Sequence, residues 1–174
     1  YYNTYMNGSM SGVIFQEIRE ARALAYSAGG GYDGGDRKDD ENALWGSLGC
    51  QADKTVEAAG LLAKLLREPP ISEERFAETR KAIEEDYRSN VVNFRSIPGA
   101  VFGWNERGLP GDPRPAQFRR VLSYSRKELE SFAAKFRGRP LTLYVLGNRE
   151  RLDLKGLAAL GSVQELKLED VFPY

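Results

Sequence analysis

The stretch from Gly8 to Tyr32 constrains the fold most, because its residue pattern changes halfway along. In the first half, apolar residues recur at steps of three and four, which is typical of one buried stripe on an α-helix: Met10, Ile14, Ile18, Ala21 and Ala25. After Leu24 the residues are Ala, Tyr, Ser and Gly, which alternate with little bulk on either face. The sequence therefore predicts one helix that runs into one flat strand, which another backbone can approach closely.

The run SGVIFQEIREARALAY, residues 11–26, resembles the non-catalytic, C-terminal half of zinc peptidases of the M16 (pitrilysin/insulinase) family, particularly its bacterial members. There, a helix start of small residues, an arginine, and a tyrosine seven residues later recur before a strand. Arg19 and Tyr26 match this pattern. The order of the later helices and strands extends the resemblance over most of the chain, although only this first run is specific.

The resemblance implies a function for the two residues. In the family, the pair faces the catalytic half across a closed chamber and holds the substrate's backbone carbonyl near the zinc. We therefore expect Arg19 and Tyr26 to bind substrate, and the chain to be the substrate-binding, non-catalytic domain of an M16-type zinc metalloendopeptidase. The expected partners are peptide substrate and a catalytic M16 domain, in the same polypeptide or in a second subunit. By resemblance, the expected location is periplasmic or otherwise extracytoplasmic in a bacterium.

Two alternatives accompany this interpretation. The chain can instead be a proteolytically inactive structural or assembly subunit that keeps the same fold. For the two residues, the alternative is that Arg19 pairs with a carboxylate of its own helix while Tyr26 packs at the strand end. The presence of both residues favours the substrate-binding interpretation.

The ligands of a catalytic zinc ion are missing from the sequence. The family's zinc motif, His-x-x-Glu-His with a downstream Glu, has no counterpart, since the 174 residues include no histidine. A hydrolytic zinc site needs three deprotonated N, O or S ligands and one open position, and Cys50 with scattered carboxylates makes a poor set. We therefore expect no metal, cofactor or catalytic residue in this chain, zinc in the catalytic half, and no activity from the chain alone.

Composition narrows the remaining classes of function. The 25 basic and 25 acidic residues cancel, which argues against a surface for nucleic acid or anionic lipid. No apolar run approaches the roughly 20 residues that cross a bilayer. A lone Cys50 excludes an internal disulfide. The length suits a single domain, residues 1–174. By resemblance, we expect this domain to be a C-terminal fragment of a larger M16-type peptidase.

The rest of the chain predicts further strands and several helices. Residues 42–51 alternate as a second strand, after a polar loop at residues 33–41 that lacks the ligand spacing of a calcium-binding loop. The run LTLYVLG, residues 141–147, is apolar and bounded by proline and glycine, which favours a buried strand at the centre of the sheet. Residues 163–169 alternate as a final strand, and Ser125 with Glu128 forms a capping box.

Together these patterns predict an α+β fold, with an antiparallel or mixed sheet of about four strands and helices packed mainly on one face. By this resemblance, we expect the chain to be an M16 peptidase/LuxS-like domain. We expect its first strands to precede Tyr1 and therefore to be missing from this chain. A sheet without its first strands has an exposed edge. Such an edge invites pairing with another chain, so we also expect a homo-oligomer formed through it.

Overall fold

A two-stranded antiparallel hairpin organises the structure, a computed structural model that describes residues 1–173. Strand β1 spans Ala25–Asp33 and strand β2 spans Ala43–Cys50, with Tyr32 opposite Leu44 and an irregularity next to Ala25. These bounds confirm both strands and the polar loop predicted between them.

Helices form most of the remaining structure. Helix α1 spans Tyr2–Asn7, α2 Thr55–Arg67, α3 Glu73–Ser89, α4 Ile97–Glu106, α5 Arg114–Ser123, α6 Arg126–Ala133, α7 Leu154–Leu160 and α8 Leu168–Val171. Short 3₁₀ turns lie at Ser9–Ser11, Ala52–Lys54, Phe94–Ser96, Ala134–Phe136 and Arg149–Arg151, and a π-helix spans Phe15–Glu20. The predicted capping box is confirmed, since the Ser125 side chain accepts from the Glu128 amide and the Glu128 carboxylate accepts from the Ser125 amide. Every helix within residues 1–173 is too short or too polar to span a bilayer.

The single helix predicted before β1 is wrong in its first half. Gly12 has extended backbone angles, φ −61° and ψ 145°, which break the helix after the 3₁₀ turn. A side chain at Gly12 would also meet the backbone of Met6 and Gly8 within 3 Å. Ile14 and Ile18 are buried as predicted, whereas Met10 is exposed because it precedes this break.

The core lies between the hairpin and the helices. Tyr5 and Met6 of α1 are fully buried there, and the Tyr5 hydroxyl donates to the Pro70 carbonyl at 2.8 Å and accepts from the Ser72 amide at 3.1 Å. On the sheet, Leu44 and Leu48 pack against this core, whereas Trp45 on the opposite face is exposed. The α+β prediction, with helices covering mainly one face, is confirmed.

Two of the predicted strands are wrong. Residues 141–147 and 163–167 carry no strand pairing, and Leu168–Val171 is helical. Within residues 1–173 the sheet therefore has two strands rather than about four. A strand needs a neighbouring backbone to complete its hydrogen-bond ladder, and in the part of the chain that the structure describes β1 and β2 pair only with each other. The apolar pattern of residues 141–147 suits a strand, but the described residues offer no partner beside it.

The buried Tyr2 side chain makes the stability of the protein fall as the pH rises through the alkaline range. Burial raises the pKa of Tyr2 to about 12, and its hydroxyl donates to the Leu66 carbonyl at 3.3 Å. Between pH of about 10 and 12 the folded state holds a proton that the unfolded state has lost, so the free energy of unfolding falls as pH rises. We expect the stability advantage of the wild type over Tyr2→Phe to shrink there by on the order of 2 kcal/mol. Urea unfolding of the wild type and of Tyr2→Phe across this pH range measures the difference between their free energies of unfolding. The same dependence on pH in both proteins would contradict the prediction.

Candidate functional site

Arg19 and Tyr26 lie together at the junction between the π-helix and β1. The Arg19 guanidinium carbon lies 5.1 Å from the centre of the Tyr26 ring and 4.8 Å from the centre of the Phe15 ring. A cation within about 6 Å of an aromatic ring centre is attracted to the ring's electron-rich face. The two rings therefore hold the guanidinium in place, which restricts the orientations that Arg19 can adopt.

The backbone before β1 turns sharply and so brings the two residues together. The Ala21 amide donates to the Gln16 carbonyl at 2.9 Å, the five-residue step of a π-helix, and the Leu24 amide donates to the Ile18 carbonyl at 3.0 Å. Ala23, with φ 48°, adopts the left-handed conformation that ends many helices but is unfavourable for a residue with a side chain. Wide helical turns and strained residues occur often at functional sites, which makes this junction a candidate site.

Both polar groups remain available to a ligand. The Tyr26 side chain is 85% exposed, and within residues 1–173 neither its hydroxyl nor the Arg19 guanidinium forms a hydrogen bond. The Arg19 Nε atom lies 3.6 Å from the Glu20 carboxylate, and both side chains are about half exposed. An exposed ion pair of this kind contributes about 0–1 kcal/mol, so a ligand can displace it readily.

The neighbouring Arg22 makes the hydrogen bonds expected of an arginine with a structural role. Its guanidinium donates to the Glu17 carbonyl at 2.7 Å and to the Glu17 carboxylate at 2.9 Å. Arg19 meets the part of the structural alternative that concerns it, since it pairs with the carboxylate of Glu20 in its own helix, although without a hydrogen bond. Tyr26 does not meet the part that concerns it, because its side chain at the strand end is exposed instead of packed.

Phe15 is the member of this cluster that sequence reasoning missed. It precedes Arg19 by four residues, which places two side chains on the same side of a helix. That spacing was a usable signal, but an aromatic residue near a helix start is more simply interpreted as part of the core. In the structure the Phe15 side chain is half-buried and faces the guanidinium.

The donor atoms of residues 1–173 form no set that fits a zinc ion. Within residues 1–173, no three Cys, Asp or Glu side chains come together as a cluster able to hold a metal. The Cys50 thiol is partly buried and lies 3.8 Å from the Thr55 hydroxyl, which is not a zinc ligand set. At the candidate site, Arg19 and Tyr26 offer hydrogen-bond donors, and Arg19 makes cation–π contacts with Phe15 and Tyr26.

Comparisons with known proteins support the fold. The structure is similar to the crystal structure of a peptidase M16 inactive domain from Pseudomonas fluorescens, with a TM-score of 0.63 and 14% sequence identity. The match covers 77% of this chain and 32% of that chain, so the sequence spans about a third of the length of this structural relative. No family model matches the sequence, and no curated protein matches it. At this identity the similarity establishes an M16-like fold.

Proposed function

We propose that this chain is the substrate-binding, non-catalytic domain of an M16-type zinc metalloendopeptidase, closing a chamber over extended peptides. The observation that carries the proposal is the exposed pair of Arg19 and Tyr26, which is held by cation–π contact and makes no hydrogen bond within the described residues. The M16-like fold supports it. Zinc and the water that it activates belong to a catalytic domain, which is a partner of this chain or another part of its polypeptide.

The two side chains offer the hydrogen bonds that a peptide carbonyl requires. The guanidinium supplies charge-assisted donors, and the phenol supplies a hydroxyl donor. When water adds to a peptide carbonyl, negative charge develops on its oxygen, and donors that are already oriented stabilise that charge most. The stack of Phe15, Arg19 and Tyr26 orients the donors before the substrate arrives.

The peptide would lie beside the beginning of β1. Small residues follow Tyr26 in β1, namely Ser27, Ala28 and three glycines, so this strand carries little side-chain bulk. Strand addition needs free backbone groups, and Tyr32 has none, because its amide and carbonyl bind the Asn3 side chain at 2.7 and 2.8 Å. This arrangement favours the Tyr26 end of β1 as the place where peptide backbone is held.

A specific observation favours a structural or assembly role as the second candidate. Ile97, Val101 and Phe102 of helix α4 and the neighbouring Phe94 are all exposed. Contiguous exposed apolar side chains often mark a protein–protein interface. An assembly subunit would use this surface without requiring Arg19 or Tyr26.

Peptide binding by the purified chain tests the first candidate. We expect Arg19→Ala to raise the Kd of a short, terminally blocked peptide by about 10- to 100-fold, because a hydrogen bond to a charged group contributes about 1.5–3 kcal/mol. Fluorescence anisotropy measures the affinity, and NMR of the β1 amides locates the peptide.

Arg22→Ala is the matched control. It removes the same charge three residues further along the chain, in the turn after the π-helix, and the two arginine side chains are similarly exposed. If both variants weaken binding equally, the peptide responds only to charge, and Arg19 is not a specific ligand. If neither variant weakens binding, the assembly role gains support.

A further inference from the structure

Basic side chains from two neighbouring elements form one patch on the surface, in which only Arg67 is half-buried. Two of them lie in the last turn of α2, and the others lie in the turn after α6 and in the residues that follow it. We call this surface the basic patch: Lys64, Arg67, Lys135, Arg137 and Arg139. Glu68 is the acidic residue among them, and it pairs with Arg137 at 3.4 Å. Since the whole chain has equal numbers of acidic and basic residues, the patch is a local excess of positive charge.

A glycine turn brings the two elements together. Gly138 has φ 72°, a left-handed conformation that glycine adopts without strain. The chain turns there, and the Arg139 amide donates to the Phe136 carbonyl at 3.2 Å. This turn places the Arg139 carbonyl beside α2, where it accepts a hydrogen bond from Arg67 Nε at 3.0 Å. The basic residues of the two elements are therefore in direct contact.

Backbone carbonyls fix the orientation of two arginines in the patch. Arg67 Nε donates to the Arg139 carbonyl, and Arg139 Nε donates to the Lys135 carbonyl at 3.0 Å. Within residues 1–173, the Nη groups of both arginines form no hydrogen bond, and neither arginine pairs with a carboxylate. The Nη groups form the outer end of a guanidinium, which can bind both oxygens of one carboxylate. Because the two arginines are already oriented, they lose less side-chain freedom when an anion binds.

The structural roles of these residues do not use the free donors. Cations in the last turn of a helix interact favourably with the helix dipole, which applies to Lys64 and Arg67. The Lys135 ammonium group lies 5.4 Å from the centre of the Phe132 ring, which is a cation–π contact. Neither role requires the Nη groups of Arg67 and Arg139, so these groups remain available to an anion.

The surroundings of the basic patch favour an acidic polypeptide over nucleic acid or lipid. Phe132 and Phe136 are half-buried against the core, so residues 132–139 offer no exposed ring on which a base could stack. Residues 64–68 and 132–139 also carry no exposed large apolar side chain that could enter a membrane. The patch joins the ends of two elements, whereas single-stranded nucleic acid is bound along an extended basic groove. Carboxylates on a short flexible segment meet these limits, since each can approach an oriented arginine separately.

We propose that the basic patch binds an acidic segment of another polypeptide, whose Asp or Glu carboxylates are held by Arg67 and Arg139. Lys64 and Lys135 add positive charge beside them without a fixed geometry. The segment that fits is short and rich in carboxylates, and it needs no apolar residue to anchor it. None of these residues belongs to the candidate site around Arg19, so binding here is independent of the proposed peptidase role.

A short acidic peptide tests this binding. The probe is a labelled, terminally blocked hexaglutamate added to the purified chain, and fluorescence anisotropy measures its Kd. Because salt screens exposed charges, we expect the Kd to rise about tenfold between about 20 and 200 mM salt. NMR of the arginine Nε–H signals locates the peptide: the signals of Arg67 and Arg139 are expected to shift, whereas the signal of Arg119 on α5 is not.

Substitutions separate oriented arginines from positive charge alone. Arg139→Ala is expected to raise the Kd about five- to tenfold, because it removes an oriented guanidinium. Arg139→Lys keeps the charge but loses the planar end that binds both oxygens, so we expect a loss of at least about threefold. Arg119→Ala is the matched control, because Arg119 is equally an exposed arginine but lies outside the patch, and its Kd is expected to stay within about twofold. Since both side chains are exposed, all three variants are expected to unfold at the same urea concentration as the wild type.

Other results would overturn the proposal. Failure of hexaglutamate to bind at low salt would mean that the patch is only a solvated surface. Equal weakening by Arg139→Ala and Arg119→Ala, or wild-type affinity in Arg139→Lys, would mean that the peptide responds to charge without regard to geometry.

Three further probes test the choice of partner. Tighter binding of a single-stranded oligonucleotide through the same arginines would mean that the partner is a nucleic acid. Tighter binding of vesicles that contain phosphatidylserine would mean that it is a membrane. Salt-sensitive self-association without the peptide, detected by analytical ultracentrifugation, would mean that the patch binds a second copy of this chain.

Discussion

Under the proposed function, Arg19→Ala in a peptidase assembled from this chain and a catalytic domain is expected to lower kcat and kcat/KM together, by up to about 10²- to 10³-fold. Losing one oriented donor to a developing oxyanion has an effect of this size, and it appears in both constants when the contact forms mainly in the transition state. The exposed guanidinium stacked on Tyr26 is the structural basis. Steady-state kinetics on a peptide substrate measures the effect.

Tyr26→Phe separates the hydroxyl from the ring. The phenylalanine ring keeps the cation–π contact with Arg19 and removes only the hydroxyl donor, so a loss in kcat would assign that donor to the reaction. Zinc content and folding should be unchanged in both variants, and Arg22→Ala should retain activity. A rise in KM with constant kcat would instead indicate that the pair binds substrate and transition state equally. Full activity in both variants would contradict the proposed role and favour the assembly role.

The hairpin was predictable because its signals are local. The alternation of small residues in β1 and the return of the pattern in β2 define two strands whose pairing requires only a short loop. Residues 141–147 carry an equally clear apolar pattern, but a strand there depends on a distant backbone. The prediction identified a segment that suits a sheet, and the described residues contain no neighbour to pair with it.

The candidate site was predicted less completely than the hairpin. The resemblance identified Arg19 and Tyr26, and the structure brings them within cation–π distance. The π-helix and the role of Phe15 were not predicted, because π-helices are rare and the apolar spacing before β1 is that of an ordinary α-helix. The break at Gly12 and the left-handed Ala23 fix the two ends of this segment, and neither has a clear local signal.

Ile18→Ala is expected to destabilise the chain by about 2–5 kcal/mol, because it leaves a cavity in a site that is fully buried. A domain is typically stable by only about 5–15 kcal/mol, so this loss is a large fraction of the total. Ile18 also precedes Arg19 directly, and its carbonyl accepts the bond from Leu24 that closes the turn before β1. The orientation of the candidate site therefore depends on this core residue.

Urea unfolding with a constant m-value measures the loss in stability. Ile18→Val should cost about 0.5–1.5 kcal/mol, because it removes one methylene, and Leu146→Ala should change stability by less than about 0.5 kcal/mol, because Leu146 is fully exposed. Equal midpoints for Ile18→Ala and Leu146→Ala would contradict the burial of Ile18. If Ile18 were not buried, the π-helix would not be packed into the core. The position of Arg19 between Phe15 and Tyr26 would then have no structural explanation.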